Sequence, residues 1–181
     1  MGCISSVEGR YFDNKTGGSI TSYSPLKKSD LQAVVSTVFQ KVLEPLYGSQ
    51  RGALDKIFQG QDRKTRVFHY KGNPCGILVY KRDPSDEFAA FGVRESLEIK
   101  TLFLIDPAQN GGKGIAGKML ESAESFARRN NIASLHVTVS ENKPESLLFF
   151  TKKKFVEKAN FSDRYIPGVT EKLLAKTLIE D

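Results

Sequence analysis

The chain is poor in the residues that build metal centres and disulfide frameworks, with 2 cysteines and 2 histidines in 181 residues. Cys3 and Cys75 are too few and too far apart for a disulfide framework, and His69 and His136 do not complete a zinc-ligand spacing. No metal is implied. There is no run of about 18 apolar residues to cross a bilayer, and the first residues lack the apolar stretch of a secretory signal. The expected location is therefore the cytoplasm. Internal repeats and low-complexity blocks are also missing.

A hydrophobic content of 39% over this length fits one ordinary domain with a real core. The formal charge of +6 would attract an anion, whether a nucleotide-like cofactor, an RNA or an acidic membrane surface, and does not choose among them.

Residues 1–19, "MGCISSVEGRYFDNKTGGS", are polar, glycine-bearing and without period, which reads as a flexible N-terminal arm; the single domain is expected over 20–181. "SITSYSPL" reads as a short strand. In "KKSDLQAVVSTVFQKVLEPLYG", Ser29 or Asp30 is the expected cap, and Leu31, Val34, Val35, Val38, Phe39 and Val42 make one helical face. "RGALDKIF" is a second short helix. "TRVFHYKGNPCGILVYKR" is a hairpin about Lys71-Gly72-Asn73-Pro74, and "PSDEFAAFGVRE" a loop.

"SLEIKTLFLID" is a strong strand ended by Asp106-Pro107. Then Ile115, Met119, Leu120, Ala123, Phe126 and Ala127 recur at helical spacing, with Arg128-Arg129 in the last turn, where a helix dipole favours cations. "SLHVTVS" is a strand, Asn142, Pro144 and Glu145 read as the cap and first turn of a helix through Lys153, and "TEKLLAKTL" is the last strand. This order predicts an α/β or α+β fold on a mixed sheet.

"GGKGIAGKML" fits three phosphate-binding templates. Gly112, Gly117 and Lys118 have P-loop spacing, but Met119 stands where a hydroxyl should reach magnesium. Gly112, Gly114 and Gly117 have dinucleotide-fold spacing, but Asp106 to Gly111 separate them from the strand. The third template is a glycine turn that hands coenzyme A to a helix through Gly112, Lys113, Gly114, Ile115 and Ala116. The free N–H groups of a helix start bind anions readily.

"LFLIDPAQNGGKGIAGKMLESAESFA", with "SLHVTVS" and "NKPESLLFFTKKKF" after it, resembles the GCN5-related N-acetyltransferases (GNATs). The resemblance implies a mostly antiparallel mixed sheet with flanking helices and a splayed central strand pair that admits the pantetheine of acetyl-CoA. It implies that the backbone of Phe103, Leu104 and Ile105 bonds the pantetheine, that Gly112 to Gly117 bond the pyrophosphate, and that Asn142 faces the pantetheine. It also implies transfer of acetyl to an amine by direct attack. The acceptor is open: a protein, a small molecule or an aminoacyl-tRNA.

Two departures stand out. Gly111 falls where the family has Arg or Gln, and Phe150 falls where it often has the tyrosine that protonates the leaving thiolate. Phe150 has no proton to give.

Acetyl transfer needs a base for the amine and donors for the developing oxyanion, the latter expected near Ile105. Glu98, on the cofactor strand, is the candidate base, against a reading in which it pairs with Lys100. Tyr165, in "DRYIPGVTE", is the candidate acid, against a reading as a loop-closing tyrosine. His136 alternates with Leu135, Val137 and Val139 and reads foremost as a structural histidine; Cys75 reads as a small packed residue. A module that binds coenzyme A without turnover is the rival reading. "MGCISS" fits a myristoylation signal at Gly2 with Cys3 as a palmitoylation candidate, which would attach the chain to a membrane in a eukaryotic cell.

Overall fold

A computed structural model describes residues 7–12, 19–23, 28–59, 63–83 and 87–178. Gly2 and Cys3 lie outside the described residues. Within the region read as a flexible arm, Val7–Phe12 is a strand, β1, antiparallel to β2 (Ser19–Tyr23). The correction has a physical cause: the pairing is made by backbone groups, and "VEGRYF" carries no alternation that would announce a strand.

The residues gather in two compact units, where one domain is expected from the sequence. One unit takes the chain to Tyr80 and Thr101–Ser122, the other Lys81–Lys100 and Ala123 onward.

The first unit begins its described sheet with β1, β2 and β3 (Arg63–Tyr70), β2 and β3 being antiparallel. β3 turns into β4 (Asn73–Asp83) through Lys71 and Gly72, at φ 50° and 82°. Two left-handed residues in succession make the turn that suits the twist of a two-residue hairpin. Helix α1 (Lys28–Val38) passes into a π-helical segment (Phe39–Leu43) and then the single turn α2 (Glu44–Tyr47). The Glu44 N–H reaches back to the Phe39 carbonyl, and Pro45, which follows, has no N–H to restore the α ladder. Helix α3 (Arg51–Gln59) follows.

Val35, Val38, Phe39, Leu54 and Ile57 from these helices pack on Val67, Ile77 and Val79 of the sheet, with Phe103 and Ile105 against them. At about 1.5–3 kcal/mol for each large side chain removed from water, this cluster is what fixes the helices to the strands. Strand β5 (Ser96–Leu104) brings Phe103 there, its ring 6.1 Å from that of Phe39.

In the second unit β6 (Ser134–Ser140) lies between β5 and β8 (Thr170–Thr177), and β7 (Val156–Ser162) lies outside β8. β6–β8 and β7–β8 are antiparallel. β5 and β6 are parallel over Leu97↔Leu135 and Glu98↔His136, two rungs for strands of nine and seven residues. So short a pairing is what a splayed central pair requires. Helix α6 is Pro144–Lys152, and its N-cap is Lys143 rather than Asn142. Pro144, at its start, supplies a preset φ where no N–H is needed.

Candidate active site

In the first unit, Asp106 adopts φ 51° and its carboxylate accepts from the Gln109 N–H at 3.2 Å, starting the one-turn helix α4 (Pro107–Asn110). The interval between strand and glycines is thus an ordered turn. Gly111 closes it by donating to the Pro107 carbonyl at 2.8 Å, and a Cβ on Gly111 would come within 2.6 Å of that oxygen. Arg or Gln cannot stand there without moving backbone, which accounts for the departure at this position.

Gly112 and Gly114 follow at φ 71° and 75°, and a Cβ at either would meet nothing within 4 Å. They are glycines because of their backbone conformation. Helix α5 (Ile115–Arg129) then closes its first turn with Lys118 N–H donating to Gly114 O at 3.1 Å. The N–H groups from Gly114 to Gly117 precede the first intrahelical donor, so they are open to an anion.

The two lysines of the loop have other engagements. Lys113 Nζ stands 4.9 Å over the ring of buried Tyr70, and Lys118 pairs with Glu121 at 2.8 Å. Backbone amides on an open turn, with Ala116 and Gly117 in the first helical turn, suit a pyrophosphate.

The strand edge corrects one expectation. Ile105 donates its N–H to the Cys75 carbonyl at 2.9 Å, and its own carbonyl accepts from the Asn110 side chain. Ile105 therefore does not supply the oxyanion donor. Backbone groups alternate along a strand, so Phe103 turns its own toward β4 as well; its carbonyl is 3.4 Å from where a Gly76 Cβ would lie. Of Phe103, Leu104 and Ile105, only Leu104 turns its N–H and C=O to the opposite edge, and Leu102, which sequence reasoning did not single out, does the same. Cys75 itself is buried and its thiol is pushed up to about 12 by burial, with Lys113 pulling the other way.

The second unit carries the proposed acid and base. Glu98 is buried, its Oε1 bonded to Lys100 Nζ at 2.7 Å and its Oε2 facing Lys81 Nζ at 3.5 Å. The pairing with Lys100 weighed from the sequence is present. Opposite Glu98 in register stands His136, fully buried, with Nδ1 2.6 Å from Ser96 Oγ and its ring against Phe88 at 5.2 Å. These contacts are those of a structural histidine.

Tyr165 is 51% exposed on the β7–β8 connection, its Oη 3.4 Å from Thr138 Oγ1 of β6. Asn142 is exposed, and its N–H donates to Ser140 Oγ at 3.3 Å. Phe150 is buried between Phe149 and Phe155, each ring 5.1 Å away.

Sequence reasoning passed over Glu171 and Arg164. Arg164 pairs with Glu87 and lies over the rings of Phe88, Phe161 and Tyr165 at 5.1, 5.3 and 5.3 Å. Glu171 is 3% exposed on β8. A Glu at the start of "EKLLAKT" breaks the apolar face, and that break was the available signal.

A strand, a glycine turn and a helix, on a mixed sheet with a briefly paired central couple, make this the fold of the GCN5-related N-acetyltransferases. Solved structures share it over nearly their whole length. Arabidopsis thaliana NAA60 in complex with acetyl-CoA superposes with a TM-score of 0.73 at 12% identity, over 88% of this chain and 98% of that one. Arabidopsis thaliana Naa50, in complex with the bisubstrate analogue CoA-Ac-MVNAL, gives 0.65 at 17%, over 87% and 97%. Ard1 from Thermoplasma volcanium gives 0.66 at 18%, over 90% and 99%. At these identities the likeness is one of fold. No protein-family model matches the sequence, and no curated protein matches it.

Proposed function

We propose that the chain is an acetyl-CoA-dependent N-acetyltransferase. The observation that carries this reading is the pair of left-handed glycines, Gly112 and Gly114, opening the start of α5 directly after β5 and α4. Converging amides there match a pyrophosphate, at about 1.5–3 kcal/mol for each charge-assisted bond. The neighbours that hold acetyl-CoA and a peptide-bearing analogue support coenzyme A as cofactor and a peptide amine as one acceptor.

Bound acetyl-CoA supplies an acetyl group activated as a thioester. The N–H groups from Gly112 to Gly117 hold the pyrophosphate, and the backbone of Leu104 holds the pantetheine arm. Glu98 accepts the proton that the amine gives up on attack; of its two lysines Lys81 is the farther and the one that yields. Tyr165 returns a proton to the departing thiolate, a role that Phe150 cannot fill. Incubation with acetyl-CoA and a panel of peptide and small amines tests the reading, with thiol release and acetylated product each measured. Equal amounts of the two are expected, and thiol release without any acetylated amine contradicts it.

Burial of Phe150 in the tyrosine position favours a second reading, a coenzyme A-binding module without turnover. In that case the same assay shows binding, at most slow thioester hydrolysis, and no product.

A further inference from the structure

Glu171 is a carboxylate that does little for the fold. It stands on β8 opposite Ser140 of β6 and Phe161 of β7, is 3% exposed, and among the described residues no donor reaches its Oε1. Buried polar atoms without a partner are rare in native proteins because water has been given up for nothing. Burial, first, and then the charge of Glu141 push the Glu171 carboxyl above the ordinary carboxylate range, while Arg164 pulls it down.

Arg164 does not satisfy it. The guanidinium is spent on Glu87 and on three aromatic rings, and its Nε is itself buried without an acceptor. Glu87 holds the guanidinium and the charge of Glu141 bears on Glu171 as well, so the most buried of these three carboxylates, Glu171, has an oxygen that no donor among the described residues reaches. Exposed rings stand at the rim: Tyr165 is 51% and Phe91 39% exposed, and Phe91 lies 5.4 Å from Phe161. Ring faces attract cations.

We propose that Glu171 recognises a second, cationic nitrogen, carried by the acceptor beside the amine that is acetylated. A diamine and a peptide with a basic side chain share that chemistry. In naming the ligand an acceptor, the proposal rests on the acetyltransferase reading; the cation site itself does not. The net charge of +6 weakly repels such a ligand at a distance, but screening removes that effect beyond about 8 Å in physiological salt, and the local excess of carboxylate decides. Entry requires a neighbouring side chain to shift. Arg164 is suited to this, being held on its open side by a pair with half-exposed Glu87.

The experiment is calorimetric titration of the full chain with butane-1,4-diamine against n-butylamine, and with a short peptide containing lysine against the same peptide containing norleucine. The expected result is that, in at least one pair, the member with the additional cationic nitrogen binds about tenfold or more tighter. Preference in only the diamine pair identifies a polyamine-like ligand, and preference in only the peptide pair a basic side chain. Glu171→Gln should abolish the preference, whereas Arg164→Gln, which removes the internal competitor, should increase it. A purely structural role would weaken binding in both variants. Equal affinities within both pairs, or a preference that survives Glu171→Gln, overturns the proposal. Acetyl-CoA binding is measured on the same samples, so loss of the cofactor reading shows as a separate failure.

Discussion

The N–H of Ile105 donates to the carbonyl of Cys75 at 2.9 Å. That one bond sets the phase of the strand: Phe103 and Ile105 face β4 with their backbone groups, and Leu102 and Leu104 present theirs on the other edge. In the proposed complex a cofactor arm along β5 would therefore be read by Leu104 and Leu102. Replacing Leu104 by an ester-linked residue, which deletes its N–H, should weaken acetyl-CoA by about tenfold; the same replacement at Ile105 should instead lower thermal stability. Calorimetry and melting of the two semisynthetic proteins separate the cases.

Gly111→Ala forces a Cβ toward the Pro107 carbonyl, 2.6 Å away. Overpacking against backbone costs about 1–3 kcal/mol, and urea unfolding should show a lowered midpoint of that size. An unchanged midpoint would mean that α4 gives way freely.

Glu98→Gln keeps the shape and, through its one amide oxygen, the Lys100 contact, while removing the charge and the proposed base. Loss of a general base typically lowers turnover by about 10²–10⁴-fold, and KM for acetyl-CoA should stay as it was. Tyr165→Phe should lower turnover as well if the phenol gives the proton. Unaltered turnover in either variant removes that residue from the reaction.

Glu171 gives a pH signature of its own. Burial raises its folded-state pKa above the ordinary carboxylate value, so the native state binds the proton more tightly than the unfolded chain. The associated stability is present below the unfolded pKa and is lost as pH rises through the folded pKa. Glu171→Gln should therefore unfold at the same denaturant concentration as the natural chain in acid and at a higher one near neutrality. A variant less stable at neutral pH would contradict this sign.

The strand, turn and helix around the glycines were legible because their periods are strong and local: Ile115, Met119, Leu120 and Ala123 mark a helix from any direction. The Lys71-Gly72 turn was legible for the same reason, since two left-handed residues leave a chemical trace. β7 was not. "VEKANFS" is an edge strand exposed on most of its residues, so it carries no apolar alternation. The phase of β5 was hidden too, because "LFLI" is apolar on both faces and only a backbone bond to Cys75 tells which edge is which. Met119, read from the sequence as a missing magnesium ligand, is fully buried and would lie 2.6 Å from a Cβ on Gly76; it is a packing residue that Gly76 makes room for. Glu171 and Arg164 went unseen because their partners are brought from distant parts of the chain.

The central claim is that the turn from Gly112 to Gly117 holds the pyrophosphate of acetyl-CoA, and calorimetric titration of the natural chain and Gly114→Glu with acetyl-CoA tests it most directly. Gly114 sits at φ 75° with open space around it, so glutamate there both strains the turn and sets a negative charge among the amides. The account predicts saturable binding by the natural chain and its loss, by tenfold or more, in a variant that still melts cooperatively. No binding by the natural chain, or equal binding by the two, would contradict it.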